Sequence, residues 1–486
     1  MAPNTETIVP QLRRDFEALV EYVTGPESAK HDVYSVELRL FRQLLALGAG
    51  LLKLFFRTRA ALRPEPPPSS EGTPMRYHSR RSVRYISIFG ELWVARHYFT
   101  AAGQAGAAPL DAELSLPETA YSDLLRDWGA YGDTEQAYRE TQLLLERMLG
   151  LTLSVATLEQ QALRSAADVD VFYAQARAPV PPTDSASILV VQADGKGVPM
   201  TTTRLEQPVR LGKGQKRGTK KEAVVTCLYS VAPYMRTAEE VAAALLHEGD
   251  PKAARSRPKP IGKEQHATLA GKATACRNLA ERAAQRDGVH IQHRVALTDG
   301  AEALQDQVQG HFPGYTLILD ILHATEYLWD AANALLGESN PKRTNWLRPK
   351  LVQLLEGKTA EVIRSLQAEA AASTCSLSQR KALERTIGYY RRNQPFMHYN
   401  HYLAQGWPIG TGVVEGACGH LVKDRLEKAG MRWTVEGAQA ILDLRAVRLN
   451  GDWEAYWHFH RQQQHQRLYS TPSTTLPEET FFRQAA

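Results

Sequence analysis

The chain has 486 residues, 43% of them hydrophobic and 23% charged, a composition ordinary for a globular protein and a length that predicts two or three domains. Its four cysteines (Cys227, Cys276, Cys375, Cys418) form no C-x-x-C pair, which argues against a disulfide framework and a cysteine zinc site. A net charge of +5 is compatible with nucleic acid without establishing it, while a polar N-terminus and a longest apolar stretch broken by Lys53 argue against a leader and a membrane span and predict a cytoplasmic protein.

Residues 1–62 carry helical periodicity (Leu12, Phe16, Leu19, then Leu38, Leu44, Leu45, Leu51) and read as a helical hairpin. Residues 63–75 form a proline-rich linker. The 76–117 region opens with a predicted β-hairpin over 76–100, turning at Phe89-Gly90-Glu91. Arg76, Arg80, Arg81, Arg84 and Arg96 make it strongly basic, and two readings stay open: a surface against DNA phosphates, or a sheet edge protected by charge. Residues 118–178 are helical with a helix-turn-helix pattern. One helix is predicted over Thr134–Leu149, then a break at Gly150, a cap at Ser154 and a second helix over Val155–Leu163. Such a second helix can enter a major groove, although ordinary helix packing produces the same pattern.

Beyond Pro179–Asp184, residues 185–321 alternate strands and helices. Strands are predicted at 187–193, about 197–203, Ala223–Val231, about 290–298 and Tyr315–Asp320, with helices at 237–247 and 263–286. Three strands, a helix, a strand, a helix and a strand is the order of the ribonuclease H-like fold. Residues 322–405 read as a helical insertion, 406–460 as C-terminal helices of the core, and 461–486 as a tail. The predicted class is therefore an α/β multidomain chain: a ribonuclease H-like catalytic core with a helical insertion, preceded by a basic β-hairpin and a helix-turn-helix-like N-terminal region.

Three acidic residues stand out. Asp194 and Asp299 each close an apolar run and precede glycine; Glu415 heads a long amphipathic stretch. Each is more than a hundred residues from the next, so only a fold can bring them together. Carboxylates on adjacent strand ends lie roughly 5 Å apart, which suits two metal ions about 4 Å apart acting on a phosphodiester. Asp-Gly is also a favoured turn pair, so either aspartate alone is a weak signal.

The combination of Gln192-Ala-Asp-Gly-Lys-Gly-Val-Pro-Met200, Thr298-Asp-Gly300 with Phe312-Pro-Gly-Tyr315, Leu319-Asp-Ile-Leu-His323 and Pro408-Ile-Gly-Thr-Gly-Val-Val-Glu-Gly-Ala-Cys418 resembles a DDE transposase of bacterial insertion sequences. The resemblance is to the ISKra type, more distantly to Mutator-like transposases. It continues through Lys423-Asp-Arg425, Gly430-Met-Arg-Trp433 and Leu444-Arg-Ala-Val447. It implies Asp194, Asp299 and Glu415 as catalytic metal ligands, with Asp320 of Asp320-x-x-His323 the runner-up for the second position. It also implies two Mg²⁺ (or Mn²⁺) ions, double-stranded DNA (terminal inverted repeats and target) as partner, and a homodimer or larger synaptic assembly. Some relatives carry paired cysteines near the hairpin; none stands here, so zinc is not expected.

Candidate DNA contacts are Lys196 beside the first aspartate and Lys213, Lys216, Arg217, Lys220 and Lys221 of the glycine-rich basic loop Arg210–Lys221. His323, Lys423 on the Glu415 face, Arg425, Arg432 and Trp433 complete the set, each with a structural reading beside it. Two other functions stay open: a domesticated DNA-binding protein without catalysis, and a ribonuclease H-like nuclease without strand transfer.

Overall fold

The computed structural model describes residues 5–469 apart from 63, 70, 182, 184, 202–219, 249–254 and 374. The chain divides into two compact units, one of residues up to Phe172 together with those from Trp453 onward, the other Tyr173–Asp452.

In the first unit α1 (Thr5–Thr24) and α2 (Val33–Ala61) form the expected hairpin, with Asp32 capping α2 by accepting from the Ser35 amide at 3.1 Å. Strands β1 (Arg76–Ser87) and β2 (Gly90–Thr100) pair antiparallel, Val83 opposite Val94. Leu92 and Val94 pack on Phe56 and Ala60 of α2, while Arg76, Arg80, Arg81 and Arg84 stay exposed. A short α3 (Pro109–Glu113) leads to α4 (Asp123–Glu135), α5 (Tyr138–Leu149) and α6 (Val155–Ala166). The helix expected from Thr134 instead starts at Tyr138, because the Gln136–Ala137 backbone is extended and Glu140 turns back to accept from the Ala137 amide. Gly150, with φ of 68°, ends α5, and Ser154 caps α6 as anticipated. After α7 (Val169–Val171), the unit is completed by a helix over Trp453–Tyr469, held by a buried hydrogen bond between His460 Nδ1 and Asp168 at 2.6 Å.

The second unit is built on a five-stranded mixed sheet of β3 (Ile188–Pro199), β4 (Lys220–Val231), β5 (Ile261–Thr268), β6 (His293–Thr298) and β7 (Thr316–Leu319). Its order is β5-β4-β3-β6-β7; β3, β4 and β5 pair antiparallel, whereas β3–β6 and β6–β7 are parallel. Two expectations are corrected here. Residues 197–199 continue β3 instead of starting a second strand, because β4 pairs with β3 along its whole length. Residues 261–268, read as the start of a helix, are strand β5; the helix, α9 (Lys272–Arg286), begins after Gly271, with α8 (Ala238–Leu245) before β5. The polar sequence Lys263-Glu-Gln-His266 hides this strand, since Glu264 is buried by ion pairing and not by apolarity.

Helices cover both faces, which is why β3 begins with the apolar run Ile188–Val191 and β6 carries Val295–Leu297. Leu189, Val191 and Ala193 pack on α9 and α10 (Glu302–His311). Ile188 and Val190 face the other side, against α11 (Ile321–Leu336), α12 (Lys342–Leu355), α13 (Thr359–Ala371), α14 (Leu377–Asn393) and α15 (Tyr399–Ala404). The chain closes with α16 (Gly412–Ala417), a π turn over Cys418–Lys423, α17 (Asp424–Leu426) and α18 (Val435–Leu449); the Trp453–Tyr469 helix is α19. No helix among the described residues is long and apolar enough to cross a membrane.

Candidate active site

Period-two alternation along β3 puts Gln192 and Asp194 on the face toward α11–α14. Asp194 does not end its strand: β3 runs five residues further, to Pro199. Gln192 pairs with Leu297 across the parallel β3–β6 ladder, so Asp194 and Asp299 each lie two residues beyond a matched pair. On the next strand Leu319 pairs with Thr298, and Asp320 follows it, its amide donating to Thr298 O at 2.9 Å. Three carboxylates thus follow the last parallel pairs of three neighbouring strands, Asp194 from within β3 and Asp299 and Asp320 just past the ends of β6 and β7.

Each is fixed differently. Asp194 Oδ1 accepts from the Gly195 amide at 2.6 Å, and its Oδ2 takes the Cys418 thiol at 3.4 Å. Burial and the Asp194 charge push that thiol well above its ordinary range, so it stays a neutral donor. Asp299 Oδ1 accepts from the Ala301 amide at 2.9 Å, and its backbone carbonyl takes Tyr389 OH of α14 at 2.8 Å. Gly300 follows at φ +88°; a Cβ there would meet Leu319 and the Tyr389 hydroxyl at 2.8 Å, so the turn requires glycine.

Asp320 is fully buried and caps α11, accepting from the His323 amide at 3.0 Å and from His323 Nδ1 at 2.6 Å on Oδ2. Its Oδ1 accepts from the Thr411 amide at 2.9 Å. The hydrogen bond to Asp320 is the main reason the His323 pKa is pushed up to about 9, against the opposing effect of its burial. His323 also lines an open depression of about 440 Å³ with Tyr327, Trp329 and Arg385.

Glu415 arrives from the far end of the unit on a segment tied down by buried polar groups. Gln192 Oε1 accepts from the Val414 amide at 3.0 Å, and its Nε2 donates to Gly410 O at 3.2 Å and Tyr229 OH at 3.0 Å. Thr411 Oγ1 donates to Glu415 Oε1 at 2.7 Å. Among the described residues, ligand atoms of Asp320, His323 and Glu415 lie within 4.8 Å of one another, a carboxylate and imidazole set that can hold a divalent ion. Gln192 and Thr411 were not singled out from sequence; the available signal was a polar residue inside an apolar strand run.

The other expected residues fall into three groups. Lys196 and Lys220 flank Glu427 at 4.0 and 2.6 Å, and Lys423, Lys221 and Arg432 are exposed. The hydrogen bond from Lys220 is the main cause that lowers the Glu427 pKa, with Lys196 and Lys423 adding to it. Lys213, Lys216 and Arg217 lie outside the described residues. Arg425 and Trp433 are corrected: Arg425 is fully buried with its guanidinium 4.8 Å over the Trp433 ring, and buried Trp433 donates Nε1 to Leu426 O at 3.0 Å. Neither side chain is open to DNA in this conformation. The π turn also breaks the 3.6-residue register from which Lys423 was placed on the Glu415 face; Lys423 is exposed, while Leu426 three residues on is buried.

No protein-family model matches the chain, and no curated protein matches its sequence. Among solved structures the Drosophila P element transposase strand transfer complex is similar at 11% identity and a TM-score of 0.24, over 75% of this chain and 84% of that one.

Proposed function

We propose that this chain is a DDE-type transposase that cleaves insertion-sequence DNA ends and joins them to target DNA, built on a ribonuclease H-like core. The observation that carries the reading is the placement of Asp194 and Asp299, each two residues beyond a matched pair of adjacent parallel strands, with the Glu415 segment tied to the first of those strands through Gln192. The strand order β5-β4-β3-β6-β7, with antiparallel pairing on one side of β3 and parallel on the other, supports the fold.

The donor set is mainly carboxylate oxygen, which fits Mg²⁺ or Mn²⁺. Asp194, Asp299 and Glu415 would hold the ions, which when bound supply Lewis-acid activation of the attacking hydroxyl and charge neutralisation at the leaving oxygen. The chain's own contribution is placement. Thr411 orients the Glu415 carboxylate, the Cys418 thiol and Gly195 amide orient Asp194, and Asp320 ties the Glu415 segment to the end of β7. His323, half-exposed with its Nδ1 engaged by Asp320, would offer Nε2 to a DNA phosphate, while Lys196, Lys220 and Lys423 would counter backbone charge. Joining two ends needs two catalytic centres, so the working form is an assembly on DNA.

A second reading of one position is favoured by the proximity of Asp320 to Glu415, which would make Asp320 the second metal ligand. Against it, both Asp320 oxygens accept from protein donors, whereas Asp299 is half-exposed and its Oδ2 takes no hydrogen bond among the described residues. The test is cleavage and strand transfer on a labelled duplex carrying the element's end, in Mg²⁺ or Mn²⁺ against EDTA. Metal-dependent nicked and joined products are expected, lost in Asp194→Asn, Asp299→Asn and Glu415→Gln. Folded protein that binds but never cleaves would favour a DNA-binding descendant; nicking without joining would favour a nuclease. Cleavage retained in Asp299→Asn but lost in Asp320→Asn would transfer the role to Asp320.

A further inference from the structure

Helix α2 has a side that the rest of its unit leaves largely uncovered, apart from Phe89 at Gly48. Phe41, Leu44, Leu51 and Phe55 are 42%, 55%, 53% and 46% exposed, and Tyr34 and Leu62 at its two ends are 67% and 66% exposed. Phe41, Leu44, Gly48, Leu51 and Phe55 are spaced alternately by three and four residues, the seam pattern that another helix fills, and Tyr34 and Leu62 lie seven residues further out, beyond Glu37 and Thr58. No charged residue interrupts the seam from Phe41 to Leu62, roughly 30 Å of helix. The core face of α2 is a different one, carrying Phe56 and Ala60 against the β-hairpin.

The order of the seam is close to palindromic. Phe41 and Phe55 lie seven residues either side of Gly48, Tyr34 and Leu62 fourteen, with Leu44 and Leu51 between. A two-fold axis near Gly48 therefore sets Phe41 of one copy against Phe55 of the other, and Leu44 against Leu51, which is the self-complementarity an isologous interface requires. Gly48 has a specific part: a Cβ there would meet the Phe89 ring at 2.6 Å. Without a side chain it lets Phe89, from the β-hairpin turn, lie in the seam and add its own exposed ring near the axis.

The area is also sufficient. Side chains of about 150–250 Å² for the aromatics, half exposed, give on the order of 500 Å² per copy, above the size of scattered apolar surface. Two copies reach about 1,000 Å², the lower bound for a specific interface. We propose that α2 is a self-association surface, pairing antiparallel with α2 of a second copy of this chain across the Gly48–Phe89 contact. This stands apart from the catalytic reading and survives its failure.

The test is sedimentation velocity of the full chain without DNA across a micromolar dilution series, beside the Leu44→Glu/Leu51→Glu double variant. Both leucines are about half exposed, so the fold and its thermal transition should be unchanged. Opposed glutamates at the seam should weaken a wild-type dimer roughly a hundredfold or more. Register is read separately by oxidising a mixture of Leu44→Cys and Leu51→Cys chains in a Cys375→Ser background: the mixture should cross-link, each chain alone should not. A monomeric wild-type chain at all concentrations, or a dimer indifferent to the glutamates, overturns the proposal. Self-cross-linking of the Leu44→Cys chain overturns the antiparallel pairing.

Discussion

Gln192 offers the sharpest test of how the fold delivers Glu415. Replacing it with leucine keeps similar volume and apolar packing but removes the carboxamide. Three hydrogen bonds are lost, at 3.0, 3.0 and 3.2 Å. Gly410 O sits in a half-buried segment and can find water, but the Val414 amide and the Tyr229 hydroxyl are buried and stranded. A buried unsatisfied group costs about 1–3 kcal/mol, so the two cost roughly 2–6 kcal/mol, partly offset by the added apolar surface. About 3 kcal/mol is expected, concentrated on the segment over 410–418. Hydrogen exchange of a peptide spanning Val414 should accelerate roughly a hundredfold at that energy. Cleavage should fall at least as far, because a displacement of about 1 Å at a catalytic group costs on the order of a hundredfold. Wild-type protection at Val414 together with wild-type nicking would refute the reasoning, since Glu415 would then be positioned without Gln192.

Other outcomes follow from buried charge. Glu264 is almost fully buried among Arg177, Arg282, Arg286 and His266, so Glu264→Gln should destabilise the chain by about 3–5 kcal/mol in urea unfolding, by leaving guanidiniums uncompensated. A loss below about 1 kcal/mol would show that those arginines find water or other partners. Burial, then Arg282, lowers His266 to about 4, while an unfolded histidine titrates near 6.5. The unfolded state therefore binds the extra proton between those values, and stability should fall by about 3 kcal/mol as pH drops from about 6.5 to 4. Burial alone would raise Glu264, but His266 and the arginines outweigh it and hold it at about 2, so a second loss follows as pH falls from about 4.5 to 2. His266→Gln should remove the first loss and shrink the second, to which the arginines still contribute; an unchanged profile would place the acid sensitivity elsewhere. Lys196→Gln/Lys423→Gln should flatten the salt dependence of DNA binding by about two units of log–log slope; no change would exclude both from phosphate contact.

What was legible in the sequence was whatever apolar periodicity and turn chemistry carry locally. The α1–α2 and β1–β2 hairpins, the Ser154 cap and strands β4, β6 and β7 depend on residues within a few positions of one another. What was hidden depends on distant partners. Strand β5 reads as polar because the arginines that neutralise Glu264 lie on α9 and at Arg177. Arg425 reads as a DNA contact because nothing adjacent in sequence reveals that it is buried against Trp433. The break in the Glu415 helix is equally remote in origin: Cys418 begins the π turn while its thiol meets Asp194.

The same distinction bears on the two candidates for the second catalytic carboxylate. Asp299 and Asp320 are equivalent in sequence terms, each ending an apolar strand run, and they stand at the same end of β6 and β7. Their surroundings separate them. Asp320 gives one oxygen to Thr411 and the other to His323, and its full burial leaves no lone pair facing water. Recruiting it as a ligand would place the ion on a carboxylate that already accepts from three protein donors, one of which ties down the Glu415 segment. Asp299 uses one oxygen to start the turn into α10 and keeps the other at a half-exposed position. A ligand that must meet both an ion and a DNA phosphate needs that opening, and a strut that must hold the Glu415 segment needs the burial.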